Sequence, residues 1–259
     1  MSSVTTEVAL ITGGGSGIGR ASAVALAARG AKVALLDVDE KGLADAYEEL
    51  TAQGAEVIQV VADVTDPNAI GSAVERVVEA WGGLRTVVAS AGIEYVGTVE
   101  STSLGDFRRV LDVALVGTFI TAQATIPHLR AGGGGSFTAI GSTTGASGSN
   151  GWAAYSAAKH GVVGLTRSMA LDHARDGVRC NVVLPGFIQT PMAARILEGL
   201  SDGDLAATDN AIPLGRRAHP SEVADAVAHL SSEDASYVTG SLYAVDGGTL
   251  AGFFEPPAG

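Results

Sequence analysis

Short apolar runs alternate along this chain with longer stretches in which apolar residues recur at helical spacing. Val8-Ala9-Leu10-Ile11 precedes a helical pattern from Arg20 to Ala28. The alternation then continues with a strand at 32–37, a helix at 39–53, a strand at 56–62, a helix at 67–81 and a strand at 84–89. The runs Val57-Ile58-Gln59-Val60-Val61 and Thr86-Val87-Val88-Ala89 are rich in β-branched residues, as strands covered on both faces are. Strands alternating with helices predict right-handed crossovers, hence a parallel sheet with helices on both sides.

Boundaries are also legible. Asp66-Pro67 suits a helix start, because Asp can cap free N–H groups and Pro fits the first helical position. That helix ends at Gly82-Gly83. A longer helical pattern runs from Ser103 to Arg130 and stops at Gly132-Gly133-Gly134-Gly135. A strand (136–140), a helix (152–174), a strand (178–184), a helix (221–231) and a last strand (241–245) follow. The stretch 186–215, with Pro191 and Pro213, carries weak helix at 193–200 and little else regular. It follows a strand's carboxyl end, where open α/β sheets bind ligands, and so reads as a mobile substrate lid. No linker or composition shift divides residues 1–259, which predicts one domain.

The turn Thr12-Gly13-Gly14-Gly15-Ser16-Gly17-Ile18-Gly19 lies between the first strand and the first helix. Glycines let the backbone turn sharply and let an anion approach, and the helix's first N–H groups and dipole face that anion. The spacing Gly-x-x-x-Gly-x-Gly differs from the usual dinucleotide fingerprint, so the match is one of mechanism. Asp37 strengthens it. This acid ends the second strand about 20 residues past the turn, where a carboxylate can hold a ribose diol. Together the two features predict a dinucleotide site.

Composition narrows the field. A net charge of -12 opposes binding to nucleic acid or to an anionic membrane surface. No run approaches the roughly 18 consecutive apolar residues of a membrane span, and Met1 to Glu7 lack a signal peptide's regions, so a cytoplasmic location is expected. Cys180 is the only cysteine, and its valine neighbours predict a buried strand position. His128, His160 and His173 lack partners at metal-ligand spacing, so no metal is expected. An exposed Asp172–Arg175 pair is expected from its i, i+3 spacing.

Tyr155 and Lys159 sit at i and i+4 on a predicted helix, with Ser142 at the end of a preceding strand. An ammonium beside a phenol, with a nicotinamide cation, favours phenolate, which predicts Tyr155 as a general acid/base at working pH. Ser142 would hold a substrate oxygen for proton and hydride transfer.

In order along the chain, the glycine turn, Asp63-Val64, Ser142 with Tyr155 and Lys159, Pro185-Gly186 and Val245-Asp246-Gly247-Gly248 resemble the motifs of the short-chain dehydrogenase/reductase family. The resemblance covers residues 7 to 250. It implies a Rossmann-type, doubly wound three-layer αβα sandwich on a central seven-stranded parallel sheet, assembled as a homotetramer or homodimer through two long helices and the C-terminal strand. It makes Tyr155 the acid/base, Lys159 its electrostatic partner and a ribose ligand, and Ser142 the ligand of the substrate oxygen. Gly13, Gly15, Ser16, Gly17, Ile18 and Gly19 would cradle the pyrophosphate, with Asp37 and Val38 at the adenosine ribose. Asp63 and Val64 would flank adenine, Ser90, Ala91 and Gly92 would pass under the cofactor, and Pro185, Gly186, Ile188 and Thr190 would touch its nicotinamide end. Glu94, Thr144, Trp152, Phe187 and Gln189, with Tyr95 and Asn150, would lie near a medium-sized hydroxylated or ring-bearing alcohol.

Two positions depart from that family's pattern. Ser90 stands where an asparagine is common. Ala114 replaces the asparagine that completes a catalytic tetrad, and an alanine side chain neither donates nor accepts. Asp37 repels a 2'-phosphate and neither Val38 nor Ser16 is basic, so NAD is expected over NADP. The expected function is interconversion of a secondary alcohol and a ketone. A non-redox relative, or a binding module lacking turnover, is the alternative that Ala114 suggests.

Overall fold

The structure, a computed structural model, describes residues 7–255. The leader reading at Met1 to Thr6 and the two ends of the 1–259 span lie outside the described residues. Seven parallel strands form one sheet: β1 (Val8–Thr12), β2 (Lys32–Asp37), β3 (Val57–Val61), β4 (Thr86–Ala89), β5 (Gly135–Ile140), β6 (Val178–Pro185) and β7 (Leu242–Val245). Their spatial order is β3-β2-β1-β4-β5-β6-β7, so the chain reverses direction of growth between β1 and β4.

Adjacent strand residues serve opposite faces, as the pleat requires. Leu10 and Leu36 pack in one core with Val74 and Val77 of α3 (Pro67–Trp81), Leu129 of α5 (Gly117–Ala131) and Met169 of α6 (Ala153–His173). Ile11 and Leu35 join the other, with Leu26 of α1 (Gly17–Ala27), Leu43 of α2 (Glu40–Ala52) and Val227 of α9 (Pro220–Ser231). Two helical layers thus enclose the sheet, the doubly wound arrangement the alternation predicts. Cys180 is fully buried in β6 as expected.

The single helix expected from Ser103 to Arg130 is α4 (Leu104–Leu111) and α5 joined by a π turn at Asp112–Val116. In that widened turn Gly117 N–H bonds back to Asp112 O. Periodicity cannot reveal one extra residue per turn. This continuous stretch is long and apolar enough to cross a membrane, at mean hydropathy 1.5 over its most apolar 18 residues, but half of those residues are buried inside the fold.

Segment 186–215 is more regular than expected. It holds α7 (Pro191–Leu197) and α8 (Asp202–Asn210). Thr190 caps α7 by accepting from Ala193 N–H at 3.1 Å, with Pro191 in its first turn. Ser201 and Asp204 cap α8 reciprocally, each side chain accepting from the other's N–H. The expected Asp172–Arg175 pair is not made. A tight 3-10 turn at Ala174–Asp176 ends the α-helical spacing, and Arg130 pairs with Asp176 at 2.8 Å instead.

Candidate active site

The loops leaving the carboxyl ends of the strands surround a cleft of about 730 Å³ at the β1/β4 switch point. Its cradle is backbone. Gly13 has φ +69°, and a Cβ there would lie 2.8 Å from Ala91 N, while a Cβ at Gly19 would run into the Gly13 carbonyl oxygen. Side chains at these positions would fill the space that lets β1, α1 and the β4 loop converge. Helix α1 begins at Gly17, earlier than the expected Arg20, and Ser16 at its N-cap makes no side-chain capping bond. The first-turn amides therefore have no side-chain cap, an arrangement suited to a phosphate group.

Gly13, Ser16, Gly17 and Ile18 line the cleft, whereas Gly15 and Gly19 lie behind the lining. Gly15 instead donates its N–H to Asp37 Oδ2 at 3.0 Å, and Asp39 N–H reaches Asp37 Oδ1 at 3.1 Å. The Asp37 carboxylate is thus fixed facing the cleft beside Val38. Asp63, Val64, Ser90, Ala91 and Gly92 form the next wall, and Pro185, Gly186, Ile188 and Thr190 the opposite one. A glycine cradle followed by an acid on the next strand fits a dinucleotide, with the acid at a sugar diol.

Ser142, Tyr155 and Lys159 meet at the centre of the cleft. Ser142 lies two residues past the end of β5 and caps a 3-10 turn at Thr143–Gly145, its Oγ accepting from Thr144 N–H at 3.2 Å and Thr144 Oγ1 at 3.0 Å. Lys159 is buried. Its Nζ donates to Ile140 O at 2.7 Å and lies 5.5 Å from the centre of the Tyr155 ring. Trp152 packs edge-on against Tyr155, ring centres 5.4 Å apart.

The protein's own groups hold the phenol and the ammonium away from their ordinary values. Burial pushes the Tyr155 phenol up to about 12, the Ser142 hydroxyl pulls the other way, and the Glu94 charge adds to the rise. Burial also brings Lys159 down to about 8. Desolvation disfavours the charged form of each group and is the largest cause of both shifts.

At the remaining end, Thr144, Trp152 and Phe187 line the cleft. Glu94, Tyr95, Asn150 and Gln189 are not among its lining residues. Gln189 turns its amide to Arg217 O at 3.3 Å. Glu94 receives both Nε and Nη2 of Arg195, at 2.8 and 3.2 Å. Sequence reading missed Met192, Arg195 and Ile196, which extend the wall from α7, and Leu200 just past its end. The i, i+3, i+4 spacing of Met192, Arg195 and Ile196 was the available signal, masked by the short helix.

Residues 13–249 match the family model described as Enoyl-(Acyl carrier protein) reductase. The cyclohexanol dehydrogenase of Acinetobacter sp. (strain SE19) is 40% identical, over 93% of this chain and 94% of its own. The crystal structure of levodione reductase superposes with a TM-score of 0.92 at 38% identity, covering 95% of this chain and 98% of that one. A single-residue variant of actinorhodin polyketide ketoreductase with NADPH superposes at 0.92 with 34% identity, covering 96% and 99% respectively.

Proposed function

We propose that this chain, which belongs to the short-chain dehydrogenase/reductase family and is an oxidoreductase interconverting secondary alcohols and ketones, works with NAD and uses Tyr155 as its general acid/base. The convergence of Ser142, Tyr155 and Lys159 on one cleft, beside the glycine cradle, carries this reading. A bound nicotinamide supplies the hydride acceptor or donor and, when oxidised, a ring cation.

The residues' roles follow from their chemistry. Ser142 Oγ donates to the substrate oxygen and orients it toward the phenol. In oxidation Tyr155 Oη takes the hydroxyl proton; in reduction it returns a proton to the carbonyl oxygen. Tyr155 alone holds its proton too tightly to act as a base at neutral pH, since burial sets it at about 12. A cation bound beside it favours phenolate, and Lys159, fixed by Ile140 O, adds its field and can hold ribose hydroxyls. Ala114 leaves the anchoring of Lys159 intact, because its ammonium is held by a backbone carbonyl.

The preference for NAD rests on Asp37, held toward the cleft by two backbone N–H groups with Val38 and Ser16 as uncharged neighbours. Its carboxylate accepts from a ribose diol and repels a phosphate there. The substrate is a small, ring-bearing alcohol packed against Trp152 and Phe187. The chain forms one domain, with 186–215 as a lid. Exposed Phe119 on α5, Leu171 on α6 and Tyr243 on β7 support assembly into a homotetramer through those elements, and the acid-rich surface suits a cytoplasmic setting.

The test is a matrix of cyclic, sugar-type and acyl-chain alcohols against NAD and NADP, followed by the absorbance of reduced nicotinamide. NAD-linked oxidation of a cyclic secondary alcohol is expected. Turnover only with NADP would overturn the coenzyme assignment, and product formation without net NADH would favour non-redox chemistry.

A further inference from the structure

Arg195 is a second cation on the cleft wall. Among the described residues the cationic lining consists of Lys159 and Arg195. Lys159 is buried and engaged with Ile140 O. Arg195, on α7, has a side chain 60% exposed and is the lining cation available to a ligand at the substrate end. Its guanidinium is already claimed by Glu94, which lies just past β4, 101 residues away along the chain. The two contacts make a bidentate fork, and the Glu94 side chain is only 16% exposed.

We propose that the Glu94–Arg195 pair is a specificity latch: it ties α7 to the β4 loop and, by neutralising the guanidinium on the cleft wall, selects uncharged alcohols and ketones over carboxylated ones. The latch rests on the reading that this cleft binds an alcohol substrate. Bidentate pairing satisfies the two donors best placed to grip a carboxylate. A substrate carboxylate would therefore have to displace Glu94 from Arg195 and would meet a second negative charge beside it. Neutral rings incur no such penalty. Glu94 is also close enough to the reacting centre for its charge to help raise the Tyr155 phenol, so an anion beside it would be repelled within the site itself. Specificity of this kind comes from an occupied donor as much as from an attractive contact.

The latch is tested with wild type, Glu94→Gln, Arg195→Gln and the double variant, each checked for NADH binding. Two readouts are made: kcat/KM for cyclohexanol and 4-hydroxycyclohexanecarboxylate, and binding of cyclohexanecarboxylate to NADH-loaded protein, followed by tryptophan fluorescence. Glu94→Gln is expected to raise the carboxylated-to-neutral ratio by about tenfold, as a freed charge-assisted pair implies. The double variant should return it to the wild-type level. An unchanged ratio with both alcohols turned over would overturn the latch while leaving the alcohol-dehydrogenase reading intact. Stronger carboxylate binding in Glu94→Gln without turnover of either alcohol would uphold the latch and count against these rings as substrates. Should Glu94→Gln fail to bind NADH, wild type still decides: tighter binding of cyclohexanecarboxylate than of cyclohexanone would refute the proposal.

Discussion

Ala114→Asn restores the side chain that the family resemblance calls for, and the structure predicts that the restoration does harm. Ala114 is 1% exposed in the π turn between α4 and α5, packed in a small cluster with Val110, Ala154 and Ala158 and against the Tyr155 ring. Its carbonyl already accepts from Thr118 Oγ1 at 2.7 Å. An amide there must enlarge an apolar cluster, at about 1–3 kcal/mol for overpacking, and desolvate polar groups, at about 1–3 kcal/mol where they stay unpaired. Together roughly 2–6 kcal/mol, these costs correspond for a chain of this size to a fall in Tm of about 4–24 °C. No gain in turnover is expected, because Lys159 is positioned by Ile140 O without help from position 114. Thermal unfolding followed by circular dichroism, beside steady-state oxidation of cyclohexanol, measures both. Faster turnover at an unchanged Tm would refute the reasoning and make position 114 a missing part of the proton path.

Two further predictions concern charge. Asp37→Asn removes a carboxylate fixed by Gly15 and Asp39 N–H groups; with screening, about 1.5–3 kcal/mol of repulsion toward a 2'-phosphate is lost, so the NAD:NADP ratio of kcat/KM should fall about 10- to 100-fold. An unmoved ratio would remove Asp37 from coenzyme choice. Lys159→Met should abolish turnover yet stabilise the protein at pH 7. The folded chain holds Lys159 at about 8 against an ordinary 10.5, so between these values the unfolded chain binds more protons and wild-type stability rises with pH. Below about pH 8 the full penalty applies, about 3 kcal/mol, reduced by the lost bond to Ile140 O. The variant's advantage in Tm should thus shrink as pH climbs toward 10.5, and a variant less stable at pH 7 would contradict the burial argument.

Local chemistry carried most of the architecture. Short apolar runs, several rich in β-branched residues, pointed to the seven strands, because strands covered on both faces read as apolar throughout. The glycine turn, Asp37, Ser142, Tyr155 and Lys159 were legible because each role demands a particular residue type at a fixed offset. Less was visible where geometry depends on distant partners. The π turn at Asp112–Val116 and the α7 wall required knowledge of what packs against them. Glu94 and Arg195 lie 101 residues apart, so no spacing rule links them. The phenol's upward shift likewise comes from burial, which no motif displays.

Tyr155→Phe tests the central claim most directly, since it deletes the phenolic oxygen and keeps the ring that packs on Trp152. With NAD and a cyclic secondary alcohol, the wild type should generate reduced nicotinamide. The variant should bind NADH as before and lose turnover by at least about 100-fold, the lower range for a general acid/base. Retention of wild-type turnover by the variant would contradict the proposed mechanism, and the proton would have to leave through another group.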